Sequence, residues 1–157
     1  MNAVLSERGA ASGALEIRPL TDALGAEIFG VDLREPLSAA LTARIRAAFN
    51  KYGVIFFRDQ PLAPQQFIDF TRSIGEPAPS TAMPAVPGFA PLHVIQKEEP
   101  DQNWVIGGSW HTDQSFRAIP VMGTILIARE VPESGGDTLF IDMTRAFATL
   151  SEDLKRT

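Results

Sequence analysis

Trp110-His111-Thr112-Asp113-Gln114-Ser115-Phe116, followed by Gly135-Gly136-Asp137-Thr138-Leu139-Phe140, is the stretch on which the reading of this sequence turns. Successive side chains of an extended segment alternate sides, so His111 and Asp113 at i and i+2 share one side and can grip a single cation. An imidazole beside a carboxylate supplies two of the three protein ligands of a non-haem Fe(II) facial triad. With two His and nine Asp in 157 residues, chance alone gives about 0.1 such pairs, so the surroundings must carry the assignment. Between the motifs lie the apolar run Ile125-Leu126-Ile127-Ala128 and a turn bearing Pro132. The order therefore reads metal segment, strand, tight Gly-Gly turn, strand.

Trp-His-Thr-Asp-x-x-Phe and then Gly-Gly-Asp-Thr-Leu-Phe, at this separation, resemble the TauD/TfdA family of Fe(II)- and 2-oxoglutarate-dependent dioxygenases. The N-terminal half agrees. Ile17-Arg18-Pro19-Leu20 and Gly25 through Leu33 look like the family's opening strands, and Tyr52-Gly53-Val54-Ile55-Phe56-Phe57-Arg58-Asp59-Gln60 resembles its early strand. The resemblance implies residues 15–157 as the N-terminal part of a single domain. Its fold class would be α+β to mainly β, a partial double-stranded β-helix (jelly roll, cupin-like) with flanking helices and its C-terminal half missing. It implies Fe(II), 2-oxoglutarate as cosubstrate and O₂, with His111 and Asp113 as metal ligands and Thr138 binding the distal 2-oxoglutarate carboxylate. The family's third ligand, a His far downstream, and the Arg that follows it have no counterpart here, so the chain is expected to be a fragment. An intact Asp113 favours hydroxylation of a small organic substrate, such as a sulfonate, sulfate ester or aryloxy acid, with release of succinate and CO₂.

Composition narrows the other classes. An apolar content of 45% with mean hydropathy near zero belongs to a globular core. A net charge of −5 and pI near 5.0 argue against nucleic acid, whose phosphates need a basic surface. The absence of cysteine removes disulfides and thiolate metal sites and fits a cytoplasmic, reducing setting. No stretch approaches the length of a membrane span, and Met1 to Ala14 reads as a flexible lead-in. A small-molecule substrate is the expected partner, with a homo-oligomer open for the full-length protein.

Local signals place the remaining elements. Residues 15 to 33 give one or two strands broken at Gly25 and Gly30. Ser38 caps a helix with Leu41, Ile45, Ala48, Phe49 and Tyr52 on one face, stopping at Gly53, and Val54 to Phe57 follow as a buried strand. Pro64 opens a second helix carrying Phe67, Phe70 and Ile74 and closing at Gly75. Residues 76–103 are interrupted by six prolines, with a strand expected only at Leu92 to Gln96; the stretch is either an active-site lid or a surface linker. Asp142 caps a last helix running to Lys155, with Phe147, Leu150 and Leu154 along one face.

Several residues keep two readings. Gly107 lies in Val105-Ile106-Gly107-Gly108-Ser109, which suits close backbone approach to a ligand or a plain turn. Phe116 and His93 are candidates for substrate contact, His93 otherwise being a strand or loop residue, and Arg117 is solvated or substrate-facing. Thr138 would by default be a strand residue. A zinc hydrolase built from His111, Asp113 and His93 is a different class of reading. So is a catalytically inactive fragment or binding module of the same fold, since two protein ligands hold iron weakly.

Overall fold

The computed structural model describes residues 14–78, 83–96 and 107–157. The lead-in at 1–13, residues 79–82 and 97–103 of the expected lid, and Val105-Ile106 lie outside the described residues. The chain forms two compact units of a mixed α/β kind, one made of residues up to Pro61 together with Val131–Thr157, the other of Leu62–Glu130.

The first unit is organised by a small sheet. Strand β1 (Glu16–Pro19) pairs antiparallel with β2 (Ala26–Phe29), Glu16 facing Phe29 and Pro19 facing Ala26. β2 then pairs parallel with β3 (Ile55–Phe56), giving the order β1-β2-β3. A parallel pair needs a long crossover, which helix α1 (Ala39–Tyr52) supplies. Ser38 caps α1 as expected, its Oγ accepting from Leu41 N at 3.2 Å. At the other end Gly53 sits at φ +68 and donates its N–H to Phe49 O at 2.8 Å. An added Cβ there would also stand 2.8 Å from Leu24 Cδ1, so both backbone and space select glycine. Ala26, Ile28, Leu33, Ile45, Ala48 and Leu15 form the buried core of this unit. β3 is shorter than the expected Val54 to Phe57 strand and half-buried, because only Ile55 and Phe56 find ladder partners on β2.

After β2 the chain turns through Asp32, whose carboxylate accepts from Arg34 N at 3.0 Å and from the Arg34 guanidinium at 2.6 Å. The side-chain bonds from Arg34, then its backbone bond, hold the Asp32 carboxyl down at about 2, below its ordinary value of 3.8. A carboxyl depressed in the fold favours the folded state above its unfolded pKa. That contribution fades as pH falls from about 4 toward 2. Urea unfolding at pH 5 and pH 2.5 should therefore show Asp32→Asn losing less stability on acidification than the parent chain, by a small margin because the pair is solvent-screened.

The second unit is built on helix α2 (Pro64–Ile74). Gln66 Oε1 accepts from Ala63 N at 2.9 Å and closes the first turn, while Gly75 N–H returns to Thr71 O. Its buried stripe is Ile68, Phe70 and Ile74 with Leu62, whereas Phe67 is only half-buried. The proline-rich stretch holds a hairpin, β4 (Ala85–Val86) and β5 (Phe89–His93), turning at Pro87-Gly88. The expected strand at Leu92 to Gln96 thus lies three residues earlier. Gly88 at φ +80 permits the tight reversal, and pairing with β4 fixes which residues become strand.

Two further expectations are corrected. Neither Ile125–Ala128 nor Asp137–Phe140 is a strand, and Leu126, Leu139 and Phe140 are exposed. A β-prone run becomes a strand only when a neighbour accepts its ladder, and neither run has one among the described residues. The terminal helix is divided into α3 (Met143–Ala148) and α4 (Glu152–Lys155). Asp142 caps the first as expected, accepting from Thr144 N and Arg145 N. Ser151 caps the second by accepting from Leu154 N at 3.4 Å, and a residue with N-cap backbone (φ −62, ψ 155) interrupts the helix. Phe147 and Leu154 are consequently exposed, and no apolar face is buried.

Candidate functional site

His111 and Asp113 lie in the second unit on an irregular segment that enters a turn at Asp113, so the extended strand expected for them is absent. Their side chains nevertheless meet, with His111 Nε2 at 3.3 Å from Asp113 Oδ1. The turn is closed by Arg117 N donating to Gln114 O at 3.1 Å, and Gln114 adopts φ +52, uncommon for a residue with a side chain. Gln114 Oε1 is buried without a hydrogen-bond partner.

Each member of the pair is held from behind. His111 Nδ1 is 2.7 Å from Ser109 O, and because a carbonyl only accepts, Nδ1 must carry the proton. In the neutral ring that leaves the Nε2 lone pair facing a carboxylate oxygen. Two acceptors at this distance require a cation between or beside them, either a proton on Nε2 or a metal ion. Donors at right angles around a common ion, each about 2.1 Å from it, stand about 3 Å apart, close to the observed separation. On the other side, Thr124 Oγ1 donates to Asp113 Oδ2 at 2.5 Å. About half of each side chain's surface remains exposed, 52% for His111 and 46% for Asp113, so an ion can reach both.

Gly107, considered for ligand approach, instead passes beside the imidazole. At φ +74, a Cβ there would lie 3.3 Å from His111 Cε1, tight enough to press on the ring. Phe116 is 87% exposed, and Arg117 is half-buried. His93 sits in β5 with Nδ1 at 3.0 Å from Pro84 O, which anchors the hairpin. Among the described residues no group of three or more His, Cys, Asp or Glu could hold a metal ion, so the zinc trio of His111, Asp113 and His93 is not assembled. Thr138 is exposed in the first unit, on the non-strand segment after Gly135 and Gly136. Ser109 and Thr124 were not legible beforehand: a backbone carbonyl carries no sequence signal, and Thr124 reaches Asp113 across eleven residues of irregular chain. Among the described residues no helix is long and apolar enough to cross a membrane.

The site thus consists of a His–carboxylate pair, each member oriented from behind. The sequence model of the taurine catabolism dioxygenase TauD, TfdA family matches residues 16–157, and the chain belongs to that family. An alpha-ketoglutarate-dependent sulfate ester dioxygenase of Pseudomonas putida is 34% identical over 142 residues, covering 90% of this chain and 46% of the relative. The (S)-phenoxypropionate/alpha-ketoglutarate-dioxygenase of Sphingobium herbicidovorans is 34% identical over 148 residues, covering 92% and 50%. The chain spans about half the length of the curated relatives it matches. The crystal structure of a taurine dioxygenase from Burkholderia xenovorans shares 34% identity over 50% of this chain and 28% of its own, at a TM-score of 0.47.

Proposed function

We propose that this chain contributes the first two iron-binding side chains of an Fe(II)- and 2-oxoglutarate-dependent dioxygenase that hydroxylates a small anionic organic molecule. In this reading residues 15–157 are the N-terminal part of one double-stranded β-helix domain. The observation that carries it is His111 Nε2 held 3.3 Å from Asp113 Oδ1, with the Ser109 carbonyl behind the ring. His111 binds through Nε2 and Asp113 through Oδ1, and the Thr138 hydroxyl donates to the distal carboxylate of 2-oxoglutarate. Iron and 2-oxoglutarate, when bound, would supply an O₂-dependent hydroxylation of a substrate C–H bond coupled to conversion of 2-oxoglutarate to succinate and CO₂. The two relatives are named for a sulfate ester and a phenoxypropionate, both organic anions, which supports an anionic substrate here.

Two ligands are fewer than the three of a facial triad. A second reading follows from that count: the 157 residues by themselves are an inactive or binding module of the same fold. Anaerobic equilibrium dialysis of Fe(II), with and without 2-oxoglutarate, tests the site. We expect 2-oxoglutarate to tighten Fe(II) binding to the parent chain and Thr138→Val to reduce that tightening while leaving binding of Fe(II) alone unchanged. Equal tightening in parent and variant would remove Thr138 from the site. Succinate formation by the chain above a metal-free control would overturn the inactive-module reading.

A further inference from the structure

We propose that Thr124 is a positioning residue for the metal-binding carboxylate, fixing Asp113 as a one-oxygen ligand; this rests on the iron reading of His111 and Asp113. Thr124 Oγ1 lies 2.5 Å from Asp113 Oδ2, within the range of short, charge-assisted O–H···O⁻ bonds. A carboxylate only accepts, so the hydroxyl donates and its proton occupies Oδ2. The opposite oxygen, Oδ1, is the one that faces His111 Nε2. One hydroxyl therefore sets both the rotation of the carboxyl plane and the number of oxygens left for an ion.

The arrangement mirrors the one on the histidine. Ser109 O orients the imidazole from behind through Nδ1, and Thr124 orients the carboxylate from behind through Oδ2. The two inward atoms, Nε2 and Oδ1, are thereby presented together. The consequence is larger here than it would be in a buried site, because the Asp113 side chain is nearly half exposed. The sequence separation adds a second effect: the bond ties the turn at Asp113 to the start of the Ile125–Ala128 run, eleven residues on. Partners that orient a ligand in this way typically govern metal affinity by about 10–100-fold.

The test uses the 157-residue chain and Mn(II) alone. Affinity is read from the electron paramagnetic resonance signal of free Mn(II), and the place of binding from paramagnetic broadening of the imidazole signals, of which the chain has only two, from His93 and His111. Thr124→Val and Thr124→Ala should each weaken Mn(II) binding by about tenfold or more, with His111 still the broadened ring, whereas Thr124→Ser should bind within about threefold of the parent. Unchanged affinity in both Thr124→Val and Thr124→Ala, while Asp113→Ala loses binding, would overturn the role of Thr124 and leave the metal site standing. Loss in Thr124→Ser as well would show that the methyl group matters rather than the hydroxyl, and would also overturn it. If Asp113→Ala binds like the parent chain, the metal reading itself fails and the proposal with it.

Discussion

His111→Ala is expected to remove specific metal binding from this chain, lowering affinity by more than the about 100-fold that marks the upper end for outer-shell partners. Its fold should stay intact. His111 is 52% exposed, and its hydrogen bond to Ser109 O lies on the surface. Deleting such a side chain ordinarily changes stability by no more than about 0.5 kcal/mol. Loss of binding with no loss of stability is the signature of a site that the protein holds for a ligand. Mn(II) titration and urea unfolding on the same sample read both quantities. A variant that unfolds earlier by a kcal/mol or more while binding metal normally would make His111 a structural residue and sink the metal reading.

The site and the fold were legible to different depths, for physical reasons visible in single residues. Ser38, Gly53, Pro64 and Asp142 mark helix ends correctly because each satisfies or withholds a backbone group locally, a property of the residue itself. The His-x-Asp side chains meet as their spacing implies although the expected strand is absent, since two side chains two residues apart can converge in a turn as well. What failed was whatever depends on a distant partner. Ile125–Ala128 and Leu139-Phe140 have strand composition, yet no neighbouring ladder lies beside them among the described residues. Helix 142–155 had the right periodicity and lost to Ser151, whose side chain offers Leu154 N an alternative to helical continuation. Phe67 yielded to Ile68 because which flank of a helical stripe is buried depends on what packs against it.

Ile45→Ala should be the most damaging single truncation in the first unit. Ile45 is 1% exposed and is the largest fully buried side chain among the described residues, on the face of α1 that also buries Ala48. Removing three buried carbons loses their transfer free energy and leaves a cavity that the β1-β2-β3 sheet cannot fill without shifting its backbone, together about 2–5 kcal/mol. Small domains are stable by only about 5–15 kcal/mol in total, so the unit would retain a fraction of its margin. With a urea dependence of about 1–3 kcal/mol per molar, the midpoint should fall by roughly 1–2 M. The probe has to report on this unit, and Trp110 belongs to the other. Fluorescence of Tyr52, the only tyrosine, and hydrogen exchange of the Ala48 and Phe49 amides follow α1 directly. Phe147→Ala, which deletes a larger side chain that is 55% exposed, is the control. If the two variants cost the same, burial against α1 is not what holds this unit together. A large loss for Ile45→Ala alone would establish that the α1 crossover joining β2 to β3 is packed as a cooperative core in its own right.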